Sequence, residues 1–243
     1  MRWIIVTGDS GDLGGAVTKE ILRAFDNSFG VIGLSRRQTE NINMLMSSYS
    51  DRYKHINYDL SDVDGIKDLF RNEIHSLGHV YGLVNNAANA YDDIVTNLHS
   101  KPLRKMFDIN VFSGMMLTKY AIRDMLVTGA QGSLVHISSV SAHTGYKGLA
   151  MYAASKGALE AFSLGTAREW GAKGIRSNIV APGFMETAIS SKLDDEQRVK
   201  IYQRTSLKKA TQVESVAKTI VFLLSDAAAS ITGSVVRVDN GTV

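Results

Sequence analysis

Seven short apolar runs, separated by segments long enough to be helices, constrain this 243-residue chain more than any other feature of it. The runs are Trp3–Val6, Val31–Leu34, Tyr53–Tyr58, Val80–Val84, Leu134–Ile137, Ile175–Val180 and Val235–Val238. Most are β-branched or continuously apolar, as a strand must be when both its faces are covered. Between them lie Leu13–Phe25, Val63–Ile74, Leu103–Leu126, Tyr152–Trp170 and Val213–Leu224, each long enough for a crossover helix. That alternation predicts an α/β fold, a doubly wound seven-stranded parallel sheet with helices on both faces. The length suffices for one full core. With no repeat, linker or composition break, residues 1–243 are expected to form a single domain. The irregular stretch 184–206, after Ala181-Pro182-Gly183, is expected to be a mobile substrate-binding segment, with Asp194, Asp195 and Glu196 starting a short helix.

Charge and composition then exclude several classes. The 27 basic and 24 acidic residues leave a formal charge of +3, and Arg36-Arg37 and Lys208-Lys209 are only isolated basic pairs. Nucleic acid would need a larger basic patch or stripe, so none is expected as a partner. There is no cysteine, hence no disulfide framework and no thiolate metal site, and no metal is expected. The opening apolar run is interrupted by Gly8 too early for a signal peptide, and no stretch approaches the length of a membrane span. A soluble, cytoplasmic protein with no membrane partner is the expectation.

The first strand runs into Thr7-Gly8-Asp9-Ser10-Gly11-Asp12-Leu13-Gly14 and then a helical pattern. Glycines in such a turn permit close backbone approach, and the helix N-terminus behind it attracts phosphate. Asp9 and Asp12 would repel a pyrophosphate unless they cap the helix or face away. The second strand ends Ser35-Arg36-Arg37 with no carboxylate, where an acidic residue would suit NAD and an arginine the extra phosphate of NADP. NADPH/NADP+ is therefore the expected cofactor, although two arginines at a strand exit can also be merely solvated.

Tyr152 and Lys156 lie four residues apart, on one face of a helix, with Ser139 thirteen residues before the tyrosine. A free tyrosine titrates near pH ~10. A nearby ammonium favours the phenolate and would make this tyrosine a usable acid or base. The same spacing also suits an ordinary amphipathic helix.

Taken together, the glycine turn, Asn85-Asn86-Ala87-Ala88, Asn110, Ser139, Tyr152, Lys156 and Pro182-Gly183 resemble the short-chain dehydrogenase/reductase family, over nearly the whole chain. Within it, the compact length, Ala181 to Thr187 and the segment from Asp195 to Asp226 are most similar to 3-oxoacyl-[acyl-carrier-protein] reductases. The resemblance implies a Rossmann fold and an NADP-dependent reductase acting on a ketone. It implies that Tyr152 donates the proton, and that Lys156 holds the nicotinamide ribose and lowers the tyrosine pKa. Ser139 would polarise the carbonyl, and Asn110 would kink its helix to support a proton relay. By the same resemblance Gly8, Ser10, Gly11, Asp12, Leu13 and Gly14 surround the pyrophosphate, and Ser35, Arg36 and Arg37 meet the adenosine phosphate. Asp59 and Leu60 lie beside the adenine, and Asn86, Ala87 and Ala88 line the cleft. Pro182, Gly183 and Thr187 flank the nicotinamide. The implied assembly is a homotetramer joined through Leu103–Leu126 and Tyr152–Trp170.

Several residues depart from the family pattern. Asp12 stands where the turn's middle glycine is usual, with Gly11 one residue early, and Ala88 replaces a glycine. Leu149 and Met151 replace polar residues and suggest an apolar entrance. Of two basic positions suited to an acidic carrier protein, Lys173 keeps its charge and Ala130 does not; Lys147, Lys208 and Lys209 are possible substitutes. The expected substrate is a 3-oxoacyl thioester on acyl carrier protein, in fatty-acid or polyketide-like biosynthesis. The alternatives are an acetoacetyl-CoA or small-carbonyl reductase, and a weakly active structural subunit paired with a related reductase.

Overall fold

The computed structural model describes residues 1–187, 190 and 194–242. Seven strands form one parallel sheet in the order β3-β2-β1-β4-β5-β6-β7. They are β1 (Arg2–Thr7), β2 (Phe29–Ser35), β3 (Tyr53–Asn57), β4 (His79–Asn85), β5 (Gly132–Ile137), β6 (Ile175–Pro182) and β7 (Val235–Val238). Each expected strand is present: β1, β2, β4, β5 and β6 extend by one or two residues at one or both ends, β3 stops one residue early and β7 matches.

Successive residues of a strand point to opposite faces, and β1 shows what that does. Its Ile4 and Val6 pack with Leu13, Val17 and Ile21 of α1 (Asp12–Ala24) and with Ile220 and Leu224 of α9 (Val213–Leu224). Trp3 and Ile5 face the other way, toward Leu117 and Ala121 of α5 (Ser113–Thr128). Ile5 is fully buried, and burying one such side chain contributes about 1.5–3 kcal/mol. The long α7 (Ala150–Trp170) packs Leu159 against Ile179 and Ala181 of β6, on the same face as α5. Both faces are thus covered, as the apolar runs require.

Two helices were not legible in the sequence. These are α2 (Glu40–Ser48), which buries only Ile42 and Leu45, and the single turn α6 (Ser141–Thr144). The expected 63–74 helix begins later, as α3 (Ile66–Leu69) continuing into a π turn at Phe70–Ile74. The expected 103–126 helix is interrupted. It runs as α4 (Ser100–Phe107), a π turn at Asp108–Phe112, and then α5. In the 184–206 segment, α8 (Asp195–Gln203) is started by Asp194, whose carboxylate accepts from Gln197 N at 2.8 Å in a capping box. Residues 188, 189 and 191–193 of that segment lie outside the described residues. No helix among the described residues is long and apolar enough to cross a membrane.

Candidate active site

From β1 the chain winds outward to β2 and β3, and from β4 it winds the other way. The carboxyl ends of β1 and β4 therefore border a crevice, the place where open parallel sheets bind ligands. Thr7 closes its floor. Its Oγ1 accepts from the backbone N–H groups of Asn86 and Ala87, each at 2.9 Å, and Asn86 Nδ2 donates to Thr7 O at 2.8 Å. The β1 and β4 exits are thereby fixed to each other, and Ala88 follows, half-buried.

In the glycine turn, Gly8 has φ +72°, a left-handed conformation that favours glycine. A Cβ on Gly14 would overlap the Gly8 carbonyl. Gly11 differs: it caps α1 in an extended conformation, and a Cβ there would meet only Gly8 O, at 3.4 Å. The two glycines that the backbone needs are thus present. Asp12 is exposed in the first turn of α1, and no side chain caps that helix. Ser10 is half-buried, whereas Leu13 turns into the core and offers the crevice only its backbone. Asp9 points away from the turn and is buried below it.

Further along the carboxyl edge, Ser35 is buried and its Oγ donates to Arg37 O at 3.3 Å, while Arg36 and Arg37 are exposed. Asp59 accepts from the Ser61 N–H at 2.9 Å, the main reason its carboxyl titrates below the usual range; the Ser61 hydroxyl, Arg36 and Lys105 add to this. Leu60 is buried beside it. Pro182 ends β6, and Gly183 N donates to Val238 O at 2.9 Å. A Cβ on Gly183 would crowd Thr211 Oγ1 at 2.7 Å, so glycine is needed there. Thr187 N donates to Ser190 Oγ at 3.0 Å. The bare backbone at Gly8 and Gly14 and the start of α1 behind it are features that fit the phosphates of a dinucleotide.

The catalytic candidates converge where β5 meets α7. Lys156 is 1 % exposed, and its Nζ donates to Ile137 O, two residues before Ser139, at 2.7 Å. Ser139 Oγ accepts from Ser141 N at 3.2 Å, leaving its proton for a substrate oxygen. The Lys156 ammonium stands 5.6 Å from the centre of the Tyr152 ring. Burial lowers the Lys156 pKa to about 8. For Tyr152 the balance runs opposite to the expectation: burial first, and Asp92 second, push the phenol up to about 12. Desolvation disfavours the phenolate more than one ammonium at this distance favours it. The site as it stands holds a neutral phenol, an ammonium and a serine hydroxyl, a set that can protonate an oxygen gaining negative charge.

Asn110 sits in the π turn that interrupts the regular helical hydrogen bonding between α4 and α5, at the position where a kink was expected. Its Oδ1 accepts from Asn89 N at 2.7 Å, and its Nδ2 donates to Asn89 O at 2.9 Å and to Ser155 Oγ at 3.0 Å. Ser155 Oγ in turn donates to Tyr152 O at 2.7 Å. Asn110 therefore links the loop after β4 to the start of α7. Asn89, Asp92 and Ser155 were missed from sequence, because nothing local marks a residue whose partner lies on another element. At the start of α7, Leu149 is half-buried and Met151 buried, so the two apolar replacements lie on either side of the helix's first residue. Ala130 and Lys173 lie just before β5 and β6, at the amino edge of the sheet, opposite Tyr152.

A family model described as enoyl-(acyl carrier protein) reductase matches residues 15–243. The chain belongs to the short-chain dehydrogenase/reductase family and is an oxidoreductase. Nodulation protein G of Rhizobium meliloti is 30% identical over 240 residues, covering 99% of this chain and 96% of that protein. The 3-oxoacyl-[acyl-carrier-protein] reductase FabG of Haemophilus influenzae is 29% identical over 238 residues, covering 98% and 96%. Among solved structures, a putative NAD(P)-dependent gluconate 5-dehydrogenase from Beutenbergia cavernae with bound NADP superposes with a TM-score of 0.91 at 28% identity, covering 99% of this chain and 96% of that one. A 4-hydroxyisoleucine dehydrogenase complexed with NADH gives 0.92 at 27%, covering 100% and 98%.

Proposed function

We propose that the chain is an NADPH-dependent reductase of 3-oxoacyl thioesters, forming the 3-hydroxyacyl thioester. The observation that carries the reading is the convergence of Ser139, Tyr152 and Lys156 at one end of a crevice whose other end is a phosphate-fitting turn. The bound cofactor supplies a hydride for the carbonyl carbon. Ser139 donates a hydrogen bond to the carbonyl oxygen and holds it beside Tyr152. The Tyr152 phenol gives its proton to that oxygen as negative charge develops, which completes the alcohol. The Lys156 ammonium, held by Ile137 O, stabilises the phenolate left behind and would hold the nicotinamide ribose. Asn110, through Ser155, fixes the first turn of α7 and so the position of the tyrosine.

NADP(H) is favoured over NAD(H) by exposed Arg36 and Arg37 directly after β2, where the strand ends in Ser35 and not in a carboxylate. The carrier-linked substrate rests on the FabG relatives. Lys147 is exposed on the loop leading into α7, where an acidic carrier can be met. Exposed Phe112, Leu126 and Val127 about α5 and Leu164 on α7 support a homotetramer joined through those helices. A second reading, a dehydrogenase of small hydroxy acids, is favoured by Arg204. Its guanidinium lies over Tyr146, 5.7 Å from the ring centre, beside the loop into α7, and makes no ion pair among the described residues.

The test is NADPH oxidation by the purified chain with one 3-oxoacyl group presented on carrier protein and on CoA, in parallel with a simple ketone and a keto acid. Faster turnover of the carrier form supports the first reading. Turnover confined to the keto acid replaces it with the second, and activity only after mixing with a related reductase replaces both with a structural role.

A further inference from the structure

Next to Ser139 lies a carboxyl group to which the reaction above gives no part. Glu160 of α7 follows Lys156 by four residues and Tyr152 by eight, so the three share one face of the helix. Its side chain is only 15% exposed. Ser138 Oγ donates to its Oε1 at 2.5 Å, and His143 Nε2 lies 3.0 Å from the same oxygen. The Lys156 ammonium, one turn earlier, is engaged elsewhere, at Ile137 O.

The two contacts bracket Ser139. Ser138 is buried and directly precedes it. His143 follows it in α6, a turn that the Ser139 carbonyl opens by accepting from Ala142 N at 3.0 Å. On the sheet side the same stretch is held by its backbone: Ser138 N donates to Val180 O at 2.8 Å, and Val140 N to Pro182 O at 3.0 Å. On the α7 side it is held by side chains, Lys156 at Ile137 and Glu160 at Ser138 and His143. A packed apolar side chain in place of Glu160 would fill space but fix no direction. An oxygen bound from both ends of the 138–143 segment sets where that segment, and the Ser139 hydroxyl on it, stands relative to α7. Turnover is sensitive to such placement, since a shift of about 1 Å at a reacting group can cost on the order of 10²-fold.

We propose that Glu160 is a positioning residue for the reaction. It fastens the 138–143 segment to α7, so that the Ser139 hydroxyl meets the carbonyl oxygen where Tyr152 can protonate it. The inference rests on the carbonyl-holding role given to Ser139 above, and adds a residue that acts only through it. Because both contacts go to one oxygen, Oε1, an amide oxygen can take its place, and glutamine should serve where alanine cannot.

The test is a double-mutant cycle on the full chain, read with whichever compound of the panel above it reduces fastest. Glu160→Ala should lower kcat on the order of tenfold and leave the NADPH Kd unchanged. In a chain that already carries Ser139→Ala, it should have little further effect. Glu160→Gln should recover most of the loss. An equal loss from Glu160→Ala with and without Ser139 overturns the proposal, as does a glutamine variant no better than alanine. A full rate in Ser139→Ala alone is a different failure: it removes the role given to Ser139, and the proposal with it. Should Glu160→Ala not fold, His143→Ala, which removes only the outer contact, takes its place in the cycle; its smaller loss must likewise vanish in Ser139→Ala. Should no compound turn over, hydrogen exchange decides. The backbone of 138–144 must lose protection in Glu160→Ala and regain it in Glu160→Gln, and unchanged protection is equally fatal.

Discussion

The two ends of the crevice solve their tasks with different parts of the chain. At the glycine turn the geometry is carried by the backbone: a left-handed Gly8 and a Gly14 pressed against the Gly8 carbonyl. Side chains there can change as long as those two positions stay bare, which is how Asp9 and Asp12 occur in a phosphate-fitting loop. At α7 the task belongs to side-chain atoms, a phenol, an ammonium and a hydroxyl, whose properties are set by burial. The turn departs from the family pattern at Gly11 and Asp12, while the Ser139, Tyr152 and Lys156 set is complete. Backbone-borne function tolerates substitution by sequence; side-chain-borne function does not.

The comparison breaks most visibly at Tyr152. Tyr152→Phe removes the proton donor and should lower kcat by about 10³-fold, within the range for loss of a general acid. NADPH affinity should stay nearly unchanged in a fluorescence titration, because the turn is untouched. Lys156→Met should also abolish turnover, yet raise stability. Burial disfavours the ammonium and lowers the folded-state pKa of Lys156 to about 8, from 10.5 for a free lysine. That penalty is fully present below about pH 8 and fades as pH rises toward 10.5. It is on the order of 3 kcal/mol at most. Thermal melts should therefore show Lys156→Met above wild type at neutral pH, with the gap closing in alkaline buffer.

At the turn, Gly14→Ala forces a methyl group into the Gly8 carbonyl. Displacing that backbone costs about 1–3 kcal/mol, read as a roughly tenfold or greater rise in the NADPH Kd. The rate at saturating cofactor should move far less. The smallest effect is expected at exposed Asp12. Asp12→Gly removes a carboxylate from the helix start, and should tighten NADPH binding by only about two- to fivefold at low salt, the gain vanishing as salt screens it. An effect of Asp12→Gly larger than that of Gly14→Ala would reverse the ranking of backbone over side chain at this site.

All seven strands were legible: the inner ones, covered on both faces, are almost wholly apolar, and the part-buried edge strands β3 and β7 still stand between helical patterns. The helix at 40–48 was not, because it buries only Ile42 and Leu45, too few positions to print a period. The break at Asp108–Phe112 was invisible to periodicity; only the resemblance pointed to a kink at Asn110. Ser139, Tyr152 and Lys156 were readable as a set, but their charge balance was not. The sequence shows that a lysine lies near a tyrosine; burial and Asp92, which decide the direction for that tyrosine, come from other elements. Asp9 shows the same limit. It was visible in the turn, whereas its hydrogen-bond partners Tyr53 and His55 lie more than forty residues away.

The most direct measurement of the account is an NADPH titration of the purified wild-type chain, followed on the same sample by addition of a 3-oxoacyl thioester. A saturable site, tighter for NADPH than for NADH, and cofactor oxidation on adding the thioester are what the two-ended crevice predicts. A folded chain that fails to bind either nucleotide would show that the substituted turn has lost its function, and would contradict the claim that Gly8 and Gly14 suffice to keep it.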